Sequence, residues 1–257
     1  VSKFALVTGA SQGIGLELAE QLASNGYCLV MVGRDPHNLE MAAAQLELDQ
    51  PCKTLTISMD LSEPGKVQQL VSELDERGVE VEVLVNNAAY GMEGSFIDLD
   101  LSAQLGMVDL NARAFTELTF SLALPMVRRG YGRILNVASA AAFEPGPGMA
   151  VYHATKAYVL SLSQALSDEL DGTGVTVTAL CPGRAQMGLQ RRAGVESSHV
   201  VQVGMMSAHD VAVAGYEGMM AGRGLVVPGT VNKAAVGISK VLPGRLAARV
   251  ASLLGRR

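Results

Sequence analysis

Tyr152 and Lys156 lie four residues apart in a stretch, Val151 to Asp171, whose apolar residues recur at helical spacing. Both side chains therefore project from one helix face. A phenol with an ordinary pKa of about 10 exchanges its proton poorly at neutral pH, but a neighbouring ammonium stabilises the phenolate and lowers that value. Such a tyrosine can trade a proton with a carbonyl or alcohol oxygen. Taken alone, the pair also fits a surface coincidence on a helix. A second chemistry-bearing stretch, Thr8-Gly9-Ala10-Ser11-Gln12-Gly13-Ile14-Gly15, follows an apolar run and opens a helix. Glycines at 9, 13 and 15 let the backbone turn tightly and approach a pyrophosphate, whose charge is met by helix N-terminal amides. That placement predicts a dinucleotide site rather than a plain connecting turn.

The elements that must position these residues follow from periodicity. Short β-branched runs suggest strands at 4–8, 27–32, 54–58, 82–86, 132–137 and 175–181. Between them, Ile14 to Asn25, Pro36 to Leu48, Pro64 to Arg77, Leu101 to Arg129 and Val151 to Asp171 read as helices. Pro36 suits a first helical turn, and Asp171-Gly172 a helix end. Strict alternation implies an α/β fold: one Rossmann-like, doubly wound parallel sheet with helices on both faces, forming a single domain over 1–257. Ligands in such a sheet bind beyond the carboxyl ends of the strands. From 184 to about 210 clear periodicity is lost, and we read this segment as a flap over the site.

Composition excludes several classes of protein. With 49% hydrophobic and 18% charged residues the chain is neither disordered nor of low complexity. A net charge of −5 offers no footprint for nucleic acid. Cys28, Cys52 and Cys181, without CxxC or Cys/His spacing, predict neither a disulfide framework nor a metal site. His37, His199 and His209 show no metal spacing either, and His153 points about 100° around the helix from Tyr152. A strand beginning near residue 4 leaves no room for a signal peptide, and no stretch reaches the roughly 18 apolar residues of a membrane span. The expectation is a soluble cytoplasmic protein. From Gly218 onward there are seven basic residues and no acidic one, a basic tail over about 218–257. Within it Arg245 to Leu254 reads as a short amphipathic helix, suited to a subunit contact or, as the alternative, a membrane surface.

The GxxxGxG spacing of TGASQGIG resembles the cofactor loop of the short-chain dehydrogenase/reductase family, and other stations match in order. Asp60-Leu61-Ser62 resembles the family's adenine contact, and Asn86-Asn87-Ala88-Ala89-Tyr90-Gly91 its NNAG signature. Asn111, Ser139, Tyr152 and Lys156 fall where the family keeps its catalytic tetrad, and Cys181-Pro182-Gly183 matches its PG motif. The resemblance covers residues 3 to 183, and the tail is similar to a bacterial branch grouped with ketone and steroid reductases. It implies cofactor contacts from Gly9, Ser11, Gln12, Gly13, Ile14, Gly15, Asp60, Leu61, Asn87, Ala88, Pro182 and Gly183. It further implies that Tyr152 is the general acid/base, that Ser139 holds the reacting oxygen, and that Lys156 binds the nicotinamide ribose. Asn111 would hold a water that extends the proton relay. Singly, Ser139 also fits a strand-end turn and Asn111 a polar group inside a helix.

At the end of the second strand, NAD-dependent relatives carry an acid where this chain has Gly33, followed by Arg34. A carboxylate there accepts from ribose hydroxyls, whereas an arginine pairs with a 2′-phosphate; NADP is favoured over NAD. Gln12 and the adjacent Asp35 run against that preference, and Arg34-Asp35 also fits a solvated turn. After Gly183 the run Arg184-Ala185-Gln186-Met187 departs from the family, which places a threonine near 187 to hold the nicotinamide amide. The expected activity is hydride transfer between NADP(H) and a ketone or aldehyde, interconverted with an alcohol. An apolar small-molecule substrate and a homo-oligomer, dimer or tetramer, are implied. Two alternatives stand beside it: a non-catalytic NADP(H)-binding sensor or scaffold, and a membrane-associated lipid carbonyl reductase.

Overall fold

The computed structural model describes residues 3–183 and 206–239. Six strands occur where β-branched runs predict them: β1 (Phe4–Thr8), β2 (Cys28–Gly33), β3 (Thr54–Ser58), β4 (Val81–Asn86), β5 (Gly132–Val137) and β6 (Val175–Leu180). Between them run α1 (Gly13–Ser24), α2 (Pro36–Asp49), α3 (Lys66–Glu76), α4 (Leu101–Val108), α5 (Phe115–Arg129) and α6 (Ala150–Glu169). Every strand pairing is parallel, and the sheet order is β3-β2-β1-β4-β5-β6-β7. The chain reverses its direction of travel between β1 and β4, which opens a crevice at their carboxyl ends. Leu18, Leu29 and Leu135 fill one side of the sheet, and Leu70, Leu84 and Leu118 the other. A parallel sheet covered on both faces needs such continuous apolar strands.

The chain differs from the sequence-based expectation beyond β6 and inside one long helix. A seventh strand, β7 (Leu225–Val226), extends the sheet by pairing with Ala179 and Leu180. It escapes periodicity because it is two residues long. Helix α7 (Ala208–Met220) precedes it and α8 (Thr230–Ser239) follows it, so residues 218–239 are part of the body, with Met219, Val226 and Val236 buried. Arg245 to Leu254 lies outside the described residues, as does the flap segment from 184 to 205, after which Ser207 caps α7 through Asp210 N. Finally, the long helix expected from Leu101 to Arg129 contains a π-helical turn at Asp109–Ala114. Among the described residues no helix is long and apolar enough to cross a membrane.

A buried polar chain ties the layers together below the crevice. Asn86 and Asn136 are register partners at the ends of β4 and β5. Asn86 Nδ2 donates to Asn136 Oδ1 and to Thr119 Oγ1 of α5, both at 2.9 Å. Asn136 Nδ2 donates in turn to Ser163 Oγ of α6 at 2.9 Å. Buried polar groups are tolerable when each finds its partner, and losing one member strands the others. Asn136→Ala should therefore lower the unfolding free energy by about 2–4 kcal/mol, measured by urea denaturation.

Candidate active site

Two stitches build the crevice. Thr8 Oγ1, at the end of β1, accepts from the backbone N–H groups of Asn87 and Ala88 at 2.9 and 3.0 Å. Asn87 Nδ2 donates back to the carbonyl oxygens of Thr8 and Gly9 at 3.0 and 3.2 Å. Gly9 and Gly13 take φ of +65° and +59°, the left-handed region that glycine enters without strain. A Cβ on Gly15 would overlap the Gly9 carbonyl oxygen and Asn87 Nδ2. The glycine loop is thus folded back on β4, leaving α1 to point its N-terminal amides into the crevice.

A cleft of about 540 Å³ runs across this floor. Gly9, Ser11, Gln12, Gly13, Ile14, Arg34, Asp60, Leu61, Asn87 and Ala88 line it, and Tyr152 and Lys156 stand at its far end. Gly15 lies beneath the wall, against Gly9. Pro182 and Gly183 sit to one side: Pro182 O accepts from Ala140 N at 2.7 Å, and a Cβ on Gly183 would overlap the Asn232 side chain. The Asn87 side chain and the Gly15 Cα also shape the loop.

At the β2 end of the cleft, Gly33 brings no carboxylate. Asp35 caps α2, with its two oxygens taken by Asn38 N at 3.1 Å and Asn38 Nδ2 at 2.7 Å. Arg34 projects into the cleft, 52% exposed, and reaches Asp60 Oδ2 at 3.7 Å. Burial pushes the Asp60 carboxyl up, but hydrogen bonds from Ser62 and the Arg34 charge outweigh it and hold the group below its ordinary value.

At the other end, Ser139 begins a 3-10 turn just past β5, its Oγ accepting from Ala141 N at 3.1 Å. That leaves the hydroxyl proton free to be donated, and Ser139 stands close enough to Tyr152 to pull its phenol pKa down. A Cβ on Gly91 would come within 2.9 Å of the Tyr152 ring, so the small residue of the Asn86–Gly91 motif makes room for it. Lys156 Nζ donates to Val137 O at 2.8 Å. Asn111 lies in the π-turn, and its side chain clasps the Tyr90 backbone: Nδ2 donates to Tyr90 O at 2.9 Å and Oδ1 accepts from Tyr90 N at 3.2 Å. Its Nδ2 also reaches Thr155 Oγ1 at 3.1 Å. A cavity of about 20 Å³, room for one water, lies between Asn111, Asn86 and Lys156.

A model of the short chain dehydrogenases matches residues 3–196. The chain belongs to the short-chain dehydrogenase family. An uncharacterized oxidoreductase of Staphylococcus saprophyticus is 36% identical over 182 residues, covering 70% of this chain and 77% of that protein. The short-chain dehydrogenase from Sphingobium yanoikuyae in complex with NADPH superposes with a TM-score of 0.82 at 30% identity, covering 94% and 96% of the two chains. The bulky-bulky ketone specific alcohol dehydrogenase from Comamonas testosteroni does so with a TM-score of 0.78 at 29% identity, covering 94% and 95%. This protein is accordingly an oxidoreductase of the short-chain dehydrogenase family.

Its electrostatics depart from the expectation that Lys156 lowers the Tyr152 pKa. Burial dominates and pushes the phenol up, while the Ser139 hydrogen bond pulls the other way. Lys156 Nζ lies over the ring, 5.9 Å from the centroid, and is bound to Val137 O. Burial drives Lys156 itself down to about 8, with the neighbouring Cys181 opposing. The glycine cradle, the helix N-terminus and the half-exposed arginine suit a dinucleotide's pyrophosphate and adenosine. Sequence reasoning named Thr8 only as the start of the glycine loop, without its stitch to Asn87, and missed Asn38 and Thr155, whose only signal was an amide or hydroxyl adjoining a motif. Arg184, Gln186 and Met187 lie outside the described residues.

Because folded Lys156 holds its proton less tightly than the unfolded chain does, its burial penalty is full below pH 8. The penalty fades as pH rises toward the ordinary value of 10.5. Lys156→Met should stabilise the ligand-free protein by about 1–3 kcal/mol at pH 7, with the advantage shrinking between pH 8 and 10 in urea titrations.

Proposed function

We propose that this protein is an NADP(H)-dependent reductase that interconverts a ketone or aldehyde with the corresponding alcohol. The observation that carries the reading is the convergence of Tyr152 and Lys156, with Ser139 beside them, at one end of a cleft whose other end offers Arg34, the Asp35 and Asp60 carboxylates there being already hydrogen-bonded. NADPH supplies the hydride that goes to the carbonyl carbon. Ser139 orients the substrate oxygen by hydrogen bonding, and the Tyr152 hydroxyl gives that oxygen its proton. Lys156, held by the Val137 carbonyl at the same end of the cleft, holds the nicotinamide ribose. Asn111 steadies Tyr90 and borders the one-water cavity beside Lys156, a route by which the proton is replaced. Run backwards, the same groups oxidise an alcohol.

NADP is preferred over NAD because a 2′-phosphate meets the Arg34 guanidinium beside the N-terminus of α2. Asp35, whose charge would oppose this, is neutralised in part by its role as the helix cap. Gly9, Ser11, Gln12, Gly13 and Ile14 hold the phosphates, and Asp60, Leu61 and Ala88 hold the adenosine, with Pro182 and Gly183 bordering the nicotinamide. The NADPH complex of the Sphingobium relative and the ketone substrate named for the Comamonas enzyme support both halves of the reading. A sensor without turnover would have no use for the assembled Ser139-Tyr152 pair. Exposed Leu105, Val108, Phe120, Leu124 and Tyr158 on α4 to α6 support homo-oligomerisation through those helices. The three cysteines form no disulfide, which supports a cytoplasmic setting.

Tyr152→Phe should keep NADPH binding, read by fluorescence titration, and lose ketone reduction by about 10²-fold or more; undiminished reduction overturns the reading. Arg34→Ala should weaken NADPH binding about tenfold or more and leave NADH binding unchanged.

A further inference from the structure

Arg113 lies in the π-turn, remote from the reacting atoms, and nothing in the proposed chemistry uses it. Its guanidinium is nevertheless held on three sides. Nε donates to Asp109 Oδ1 at 2.8 Å, NH1 to Glu117 Oε1 at 3.2 Å, and NH2 to the backbone carbonyl of Ser62 at 2.7 Å. Asp109 and Glu117 flank it at i−4 and i+4 on one helix stripe, which presets the fork before it reaches across 51 residues to Ser62. Glu117 is itself braced by Gln68 Nε2 of α3 at 3.2 Å.

Ser62 is the residue that shapes Asp60. Its backbone N–H and hydroxyl both donate to Asp60 Oδ1, at 2.9 and 2.6 Å, and the other Asp60 oxygen faces Arg34. One continuous chain therefore runs from Arg113 through Ser62 and Asp60 to Arg34, along the adenosine wall of the cleft. The same turn carries Asn111, which clasps Tyr90 on the opposite side.

We infer that Arg113 is a positioning residue that straps the Asp60–Ser62 loop into the shape that receives the adenosine half of the cofactor. The inference rests on the proposed NADP(H) site and deepens it. A salt bridge at a solvent-exposed helix face contributes little to stability. A charge-assisted hydrogen bond to a loop carbonyl, by contrast, fixes where that loop stands.

The test is binding of cofactor halves to the full chain. Arg113→Met, which keeps the aliphatic stem, should weaken 2′,5′-ADP binding about five- to tenfold in calorimetric titration. Reduced nicotinamide mononucleotide should bind as to the wild type, and kcat at saturating NADPH should hold while KM for NADPH rises. Unchanged 2′,5′-ADP binding overturns the strap, and so does an equal loss of both halves, which marks a general loosening of the fold. If the wild type binds 5′-AMP as tightly as 2′,5′-ADP, the NADP reading fails instead. The strap is then decided by the same comparison on 5′-AMP.

Discussion

The buried ammonium of Lys156 is the constraint to which the rest of the molecule answers. A charge removed from water is costly unless it is paired and hydrogen-bonded, and here its hydrogen-bond partner is the carbonyl of Val137 at the end of β5. The side chain is held where a cleft passes it on one face and a one-water cavity on the other. This cost falls on α6, which must stay docked on β5 and β6. The apolar contacts of Val159 and Leu160 and the Asn136-Ser163 hydrogen bond keep it there. Stability has been given up at one point so that a group of unusual acidity faces the crevice.

Around that point the structure uses amides and hydroxyls to set backbone positions, leaving few of them to face the cleft unengaged. Thr8 and Asn87 close the glycine loop against β4, Asn111 closes the Tyr90 turn against the π-turn, and Asn86 and Asn136 join α5 to α6 through two strands. Each spans a large sequence separation, and each sits at the carboxyl edge of the sheet. That edge is where strands stop and backbone groups lose their ladder partners, so side chains supply the missing hydrogen bonds. The π-turn belongs to the same economy. It lets one helix present Asn111 inward to the Tyr90 turn and Arg113 sideways to the Asp60–Ser62 loop.

The cleft also shows why charge near a motif cannot be read from identity alone. Arg34 and Asp35 are neighbours of opposite sign, and as a sequence they nearly cancel. In the fold both border the cleft, but Asp35 caps α2 and engages Asn38, while Arg34 reaches toward Asp60. Capping engages one charge at a helix end, and the other stays half exposed at the cleft.

Much of this was legible in advance, because some signals are local. The order of six strands and the helices between them follows from periodicity, the loop at Thr8 to Gly15 from glycine spacing after a strand, and the shared face of Tyr152 and Lys156 from a separation of four. Strand β7 and the break at Asp109–Ala114 were not legible. Two residues carry no period, and a π-turn keeps the apolar pattern of the helix around it. Nor was the direction of the Tyr152 shift, since spacing places Lys156 nearby without saying that burial would outweigh it. What the sequence by itself determined is which groups are present and which elements carry them. Only the tertiary structure decided how far each is dehydrated and whom it bonds, because desolvation and hydrogen bonding depend on atoms that arrive from distant parts of the chain.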